Sequence, residues 1–233
     1  MMRSVNRGNA VFGGLLVVAG LMFAQRLTAA TRGPVSLPAP AHDELVANAK
    51  TETAVFAGGC FWGIQSVFQH VKGVISATSG YSGGRAKGPS YEDVSSGATG
   101  HAESVRVVFD PSQVSYGQLL RVFFSVAHDP TQLNRQDPDV GTQYRSALFY
   151  MSDAQKTTAE AYIDQLNKSH AFSKPIVTQV EAFKAFYPAE AYHQNYAELH
   201  PTQPYIAIYD APKVVNLKKQ FPDLYTEKLA AHE

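Results

Sequence analysis

The chain has 233 residues, 45% of them hydrophobic and 17% charged, the balance of an ordinary globular protein able to bury a proper core. Twenty Lys and Arg cancel twenty Asp and Glu, so no sequence-independent field is available to hold nucleic acid or an anionic membrane surface, and nucleic acid is set aside as a partner. Thirteen Phe, twelve Tyr and thirteen Pro point instead to aromatic clefts and stiff turns, which suit a pocket for a small, partly apolar group.

Arg3 and Arg7 precede an apolar run over 10–24 that carries no charge, the layout of a secretory signal peptide. The run is shorter than the ~20 residues that span a bilayer comfortably, and Thr28 and Ala30 place small side chains where a signal peptidase reads. Residues 1–30 are therefore expected to be a signal peptide, or else an uncleaved N-terminal anchor. In both cases the folded part is expected to be exported to the periplasm. Residues 31–50, with Pro34, Pro38 and Pro40 and no hydrophobic period, read as a linker, and a single catalytic domain is expected over 51–233.

The run from Thr53 to Ala57 reads as a strand, and Gly58-Gly59 ends it before a helical pattern from Cys60 to about Gln69. A second strand, about Val74 to Tyr81, leads into a Gly/Pro/Ser-rich loop, followed by an alternating strand from Ala102 to Phe109. Ser115 is expected to cap a helix that carries Leu119, Leu120, Val122, Phe123 and Val126. The segment from His128 to Arg145 has little hydrophobic period and reads as a long, functional loop. After it come a strand from Ser146 to Met151, a long helix to about Asn167 capped by Ser152 or Asp153, a strand from Pro175 to Phe183, and a short helix from Ala189 to Leu199. Irregular interleaving of strands and helices predicts an α+β fold, a two-layer sandwich of helices packed on a central mixed, mainly antiparallel sheet.

Cys60 is the only cysteine, so an internal disulfide framework and a four-thiolate metal site are both excluded. Free cysteine is among the most buried residue types. Here, however, Gly58-Gly59-Cys60-Phe61-Trp62-Gly63 sets it at a predicted helix start, where backbone N–H groups and the macrodipole favour a thiolate. Phe61 and Trp62 bring aromatic surface beside it. Glu103, in Gly100-His101-Ala102-Glu103, is the candidate acid, since a carboxyl group partly removed from water keeps its proton. His101 and Glu103 alone make a weak metal pair, and no metal is expected. A third cluster, Asp139-Val140-Gly141-Thr142-Gln143-Tyr144-Arg145, ends the long loop, and Tyr91 and Tyr144 have hydroxyls able to donate to a substrate oxygen.

The run Gly59-Cys60-Phe61-Trp62-Gly63 resembles the signature of the A-type peptide methionine sulfoxide reductases. The resemblance continues through Gly80-Tyr81-Ser82-Gly83-Gly84, Pro89-Ser90-Tyr91, Gly100-His101-Ala102-Glu103, His128-Asp129-Pro130, Gly141-Thr142-Gln143-Tyr144-Arg145-Ser146 and Phe186-Tyr187-Pro188-Ala189-Glu190. It implies that Cys60 is the nucleophile, Glu103 the acid, Tyr91 and Tyr144 hydroxyl donors to the sulfoxide oxygen, and Asp139 a supporting polar residue. Phe61 and Trp62 would form the wall that receives the substrate methyl group. The implied activity is reduction of the S epimer of methionine sulfoxide, free or in proteins, through a sulfenic acid on Cys60.

Many family members resolve that sulfenic acid with further cysteines, and this chain has none. No bound cofactor is expected. A thioredoxin-like, glutaredoxin-like or small-thiol reductant must serve as the electron donor, and the protein is expected to act as a monomer. A cysteine peroxidase, a hydrolase that pairs Cys60 with His101 or His193, and a non-enzymatic methionine-binding module are the competing readings.

Overall fold

The computed structural model describes residues 35–43 and 49–232, so the signal peptide expected over 1–30 lies outside the described residues. Strands β1 (Glu52–Gly58), β2 (Val74–Ser82), β3 (Ala102–Phe109), β6 (Ser146–Tyr150), β7 (Gln179–Ala182) and β8 (Phe186–Pro188) form one six-stranded sheet in the order β7-β6-β1-β3-β2-β8. Every neighbouring pair is antiparallel except β6 and β7. The mixed, mainly antiparallel sheet expected from the sequence is present. A small hairpin of β4 (Arg135–Gln136) and β5 (Asp139–Val140) stands apart from it.

Period-two alternation decides which face each residue serves. Ala54, Phe56, Ala77, Val105, Val107, Phe109 and Leu148 look to one side and join the main core, where they meet α1 (Phe61–Gln69), α3 (Tyr116–Val122), α4 (Asp153–Lys168) and α6 (Ala211–Gln220). Ile64, Val67 and Phe68 of α1 are fully buried, and the Phe68 ring stacks on Phe56 at 4.6 Å. Each such side chain contributes about 1.5–3 kcal/mol by leaving water. The opposite face holds a smaller cluster of Val55, Ala57, Ala102, Ala147 and Phe149. Helices on one face of one sheet make the two-layer α+β sandwich.

Cap chemistry sets several boundaries. Ser115 caps α3 in a reciprocal capping box with Gln118, and Ser152 caps α4 by accepting from the Gln155 N–H. Two elements are shorter than their patterns suggest. Val177 N–H donates to the Pro130 carbonyl and Ile176 N–H to the Asn167 side chain, so pairing with β6 begins only at Gln179. The helix expected from Ala189 to Leu199 is broken at Asn195, whose left-handed φ of 55° separates a 3-10 turn (Ala191–His193) from the one-turn α5 (Tyr196–Leu199). A further one-turn helix, α2 (Tyr91–Ser95), and α6 carry too short or too polar a pattern to stand out in the sequence.

The stretch expected to be a linker is not free of the domain where it is described. Leu37 is 2% exposed, Arg121 Nε donates to its carbonyl, and the Tyr162 hydroxyl donates to the Pro38 carbonyl. Gln165 binds Ala39 and Ala41, and the Asp43 carboxylate accepts from Ser115 Oγ and from the Gly117 N–H at the start of α3. Prolines remove the hydrophobic period from the sequence, yet the backbone around Pro38 offers the Leu37, Pro38 and Ala39 carbonyls to helix side chains. Leu37→Ala should therefore destabilise the protein by ~2–5 kcal/mol, read as a lower urea midpoint, whereas a free linker would show no change.

Candidate active site

The site begins at the turn between β1 and α1. Gly59 turns the chain with φ +98°, and a Cβ there would lie 2.6 Å from the Gln136 side chain, so only glycine fits. Cys60 follows as the N-cap of α1, 8% exposed. The helix start was expected to favour a thiolate. In the folded site burial pushes the Cys60 thiol well up instead, with the Glu103 and Asp210 carboxylates adding to it; the Trp62 N–H at the helix start and the Lys213 ammonium oppose this without overcoming it. The resting group is a thiol.

Glu103 lies on β3 opposite Tyr81 of β2. It is 2% exposed, and its Oε2 accepts a 3.0 Å hydrogen bond from the N–H of Phe61, the residue after the thiol. Burial raises its carboxyl to about 8 against the pull of that hydrogen bond, with the Asp139 and Asp210 carboxylates raising it further. The group therefore keeps its proton at neutral pH. Glu103 is not a solvated strand-edge carboxylate.

Around this pair stand the other expected residues. Burial and the nearby Glu103 hold the Tyr91 and Tyr144 hydroxyls in the protonated, donating form. Asp139, at the start of β5, accepts a hydrogen bond from the Tyr205 hydroxyl; burial raises it and the Tyr205 bond lowers it. The Phe61 ring is fully buried. Trp62 is partly exposed and stacks on Tyr196 at 3.9 Å, with Tyr205 edge-on at 6.0 Å. Its indole N–H donates to His193 Nδ1 at 3.1 Å, and the His193 ring lies 4.4 Å from Tyr91 and 5.1 Å from Phe61.

His193 is itself held from below. Gln194 bridges Gln65 of α1 and the Ser79 backbone of β2, and Asn195 N–H donates to Gln65 Oε1. Glu190 accepts from the Tyr81 hydroxyl and the Tyr91 N–H, each at 2.9 Å. Tyr205, Asp210 and Lys213 escaped the sequence reading. The signal available was Asp210-Ala211-Pro212-Lys213, where a proline at the first positions marks a helix start; nothing in the sequence ties that start to Cys60.

Neither candidate hydrolase base reaches the thiol. His193 Nδ1 is taken by Trp62, while His101 sits edge-on to Tyr187 beside Gly84. Among the described residues no three His, Cys, Asp or Glu side chains group as a metal site.

A lone thiol near a buried, protonated carboxyl group, with aromatic rings and two tyrosines close by, fits a cysteine-dependent reductase of a small polar oxide. The comparisons agree. Residues 52–225 match the family model described as peptide methionine sulfoxide reductase. A relative from Mesorhizobium japonicum, peptide methionine sulfoxide reductase MsrA 2, is 62% identical over 76% of this chain and 91% of its own. A Deinococcus radiodurans MsrA is 51% identical over 75% of this chain and 84% of its own.

The reduced form of Mxr1 from Saccharomyces cerevisiae superposes with a TM-score of 0.61 at 32% identity, covering 71% of this chain and 98% of that one. Methionine sulfoxide reductase A of Corynebacterium diphtheriae gives 0.58 at 32% identity, over 75% and 88%. The chain belongs to the peptide methionine sulfoxide reductase family.

The raised Glu103 carboxyl has a consequence for folding. Folding moves its titration from the ordinary 4.5 to about 8, so the stability it contributes is fully present below about 4.5 and lost as pH rises through about 8. Glu103→Gln cannot ionise. Its urea midpoint relative to the parent should rise between pH 5 and about pH 8 and level off above that, and parallel midpoints would show that the carboxyl is not held neutral.

Proposed function

We infer that the protein reduces the S epimer of methionine sulfoxide, free or in proteins, to methionine, in repair of oxidised proteins, with Cys60 as nucleophile and Glu103 as acid. The observation that carries the roles is the Glu103 hydrogen bond to Phe61 N–H, which sets a protonated carboxyl beside the thiol-bearing turn. A sulfoxide sulfur is a poor electrophile until its oxygen is protonated or strongly hydrogen-bonded. Glu103 gives its proton to that oxygen while the Tyr91 and Tyr144 hydroxyls donate to it, and Asp139 supports the polar side of the site. Phe61 and Trp62 receive the methyl group.

The Cys60 sulfur adds its electron pair to the sulfoxide sulfur, and the thiol proton returns to Glu103. Glu103 protonates the hydroxyl of the adduct, which leaves as water as its S–O bond breaks. A water then attacks the Cys60 sulfur, the S–S bond breaks with its electron pair going to the methionine sulfur, the attacking water's proton returns to Glu103, and Cys60 is left as a sulfenic acid. One sulfoxide has been reduced by two electrons and one thiol oxidised by two. The charge of the site is the same at the end as at the start.

Regeneration uses two equivalents of an outside thiol of the thioredoxin-like, glutaredoxin-like or small-thiol class, because the chain has no second cysteine. The first condenses with the sulfenic acid, releasing water and leaving a mixed disulfide. The second attacks the outer sulfur and expels Cys60. No bound cofactor enters either half, and the protein acts as a monomer.

Cys60→Ser should abolish methionine formation from a sulfoxide peptide with dithiothreitol. Glu103→Gln should slow single-turnover methionine formation by about 10²–10⁴-fold with little change in substrate affinity. The parent rate should fall as pH rises through about 8, the point at which Glu103 loses its proton. Activity retained by Cys60→Ser would sink the reading, and an unchanged Glu103→Gln rate would remove the acid.

Export to the periplasm belongs to the same proposal and rests on Arg3, Arg7 and the charge-free run 10–24. Among the described residues no helix is long and apolar enough to cross a membrane. N-terminal sequencing of the protein recovered from a fractionated cell should find a chain that begins after Ala30. Recovery from the cytoplasmic fraction with Met1 intact would refute export, and recovery from the membrane fraction with Met1 intact would mark the segment as an anchor.

A further inference from the structure

Beneath the thiol lies an ion pair that the reduction step does not use. Asp210, at the end of a π-helical turn (Ile206–Asp210), has a fully covered side chain, and its Oδ1 accepts from Lys213 Nζ of α6 at 3.0 Å. Its Oδ2 is buried with no hydrogen-bond partner. The pair is wedged against the first turn of α1. A Cβ added at Gly63 would lie 2.1 Å from Asp210 Oδ1 and 2.8 Å from Lys213 Nζ. Gly63 is three residues beyond Cys60, so the two share one side of the helix start.

Stability alone is a weak reason for such a pair, because desolvation consumes most of the attraction and an apolar replacement is often neutral or better. The half-met Asp210 carboxylate adds a further cost. Within the pair it is Lys213 that places a positive charge in an acidic neighbourhood, to which Asp210 itself contributes. Around the thiol are Glu103 from β3, Tyr91 from α2, Tyr144 from a 3-10 turn (Thr142–Tyr144), Tyr205 just before the π-helical turn, and Asp210, while Asp139 from β5 acts on Glu103 and accepts from Tyr205. Lys213 is the basic side chain whose field opposes them at the sulfur.

The two halves of the cycle differ in their need for that charge. During reduction the thiol proton stays within the site and no net charge develops. During regeneration the attacking thiolate bonds to the outer sulfur of the mixed disulfide, the S–S bond breaks, and its electron pair stays on Cys60 as a thiolate before a proton returns. We propose that Lys213, tethered by Asp210, is a positioning residue for regeneration, holding its ammonium where it offsets the negative charge on the departing Cys60 sulfur. This rests on the reading that an outside thiol regenerates Cys60.

The test uses the full chain with Cys60 converted to its mixed disulfide with 2-mercaptoethanol, and follows release of the free thiol by dithiothreitol with mass spectrometry. Lys213→Gln keeps a hydrogen-bond donor for Asp210 without the charge. It should slow release roughly tenfold, as expected for a leaving thiolate that loses a nearby positive charge, and should slow single-turnover methionine formation far less. Lys213→Arg should restore release. The pH at which iodoacetamide alkylates Cys60 at half its maximal rate should move upward in Lys213→Gln.

Release at the parental rate in Lys213→Gln, or equal slowing in Lys213→Arg, overturns the proposal. If Lys213→Gln does not fold, Lys213→Met carries the same measurements. Because the release assay needs no sulfoxide, absence of sulfoxide reduction would defeat the function while leaving the role of Lys213 to be decided by release alone.

Discussion

The 3.0 Å hydrogen bond from Phe61 N–H to Glu103 ties the first turn of α1 to the middle of the sheet, and the rest of the site depends on it. The first N–H groups of a helix have no partner within it, and Glu103 accepts one of them. The same contact brings the acid next to the residue that carries the thiol. It also satisfies a carboxyl oxygen that burial would otherwise leave unmet, so Glu103 can sit 2% exposed and still be held in place. Tyr81 opposite it, bonded to Glu190, and Glu190 in turn bonded to the Tyr91 N–H, extend the same framework to Tyr91.

Burial acts on Cys60 and Glu103 in one direction. It disfavours charge, so the carboxyl keeps its proton and the thiol keeps its own. A neutral thiol beside a neutral acid suits a reaction in which protons circulate and no net charge appears. A site poised for a permanent thiolate would need the opposite setting. The helix macrodipole is real at Cys60, but it is the smaller effect where the sulfur is 8% exposed and carboxylates face it.

The C-terminal residues bear on the second half of the cycle. Thr226 and Ala230 donate to the carbonyls of His70 and Gln69, and Ala231 exchanges hydrogen bonds with β2 at Ile75 and Ala77. These contacts fasten the tail to the C-terminal end of α1, whereas Cys60 lies at the N-terminal end. The tail carries no thiol and is committed to backbone pairing elsewhere. It braces α1 from behind.

Local pattern in the sequence was enough for the strands β1, β2, β3 and β6, for the Ser115 and Ser152 caps and for the glycine turn before Cys60, because alternation, capping and left-handed φ are properties of neighbouring residues. The motifs around Cys60, Glu103, Tyr91, Asp139 and Tyr144 were also legible there, by resemblance. Asp210, Lys213 and Tyr205 were not, since what matters about them is which side chains lie against them across the fold. Nor was the docking of residues 35–43, where prolines hide the period but not the carbonyls that helix side chains bind. The sequence by itself determined that there is one thiol and that its reduction must come from outside. Only the tertiary structure decided the protonation of that thiol and of Glu103, because protonation follows from burial and from charges brought together from β3, β5 and α6.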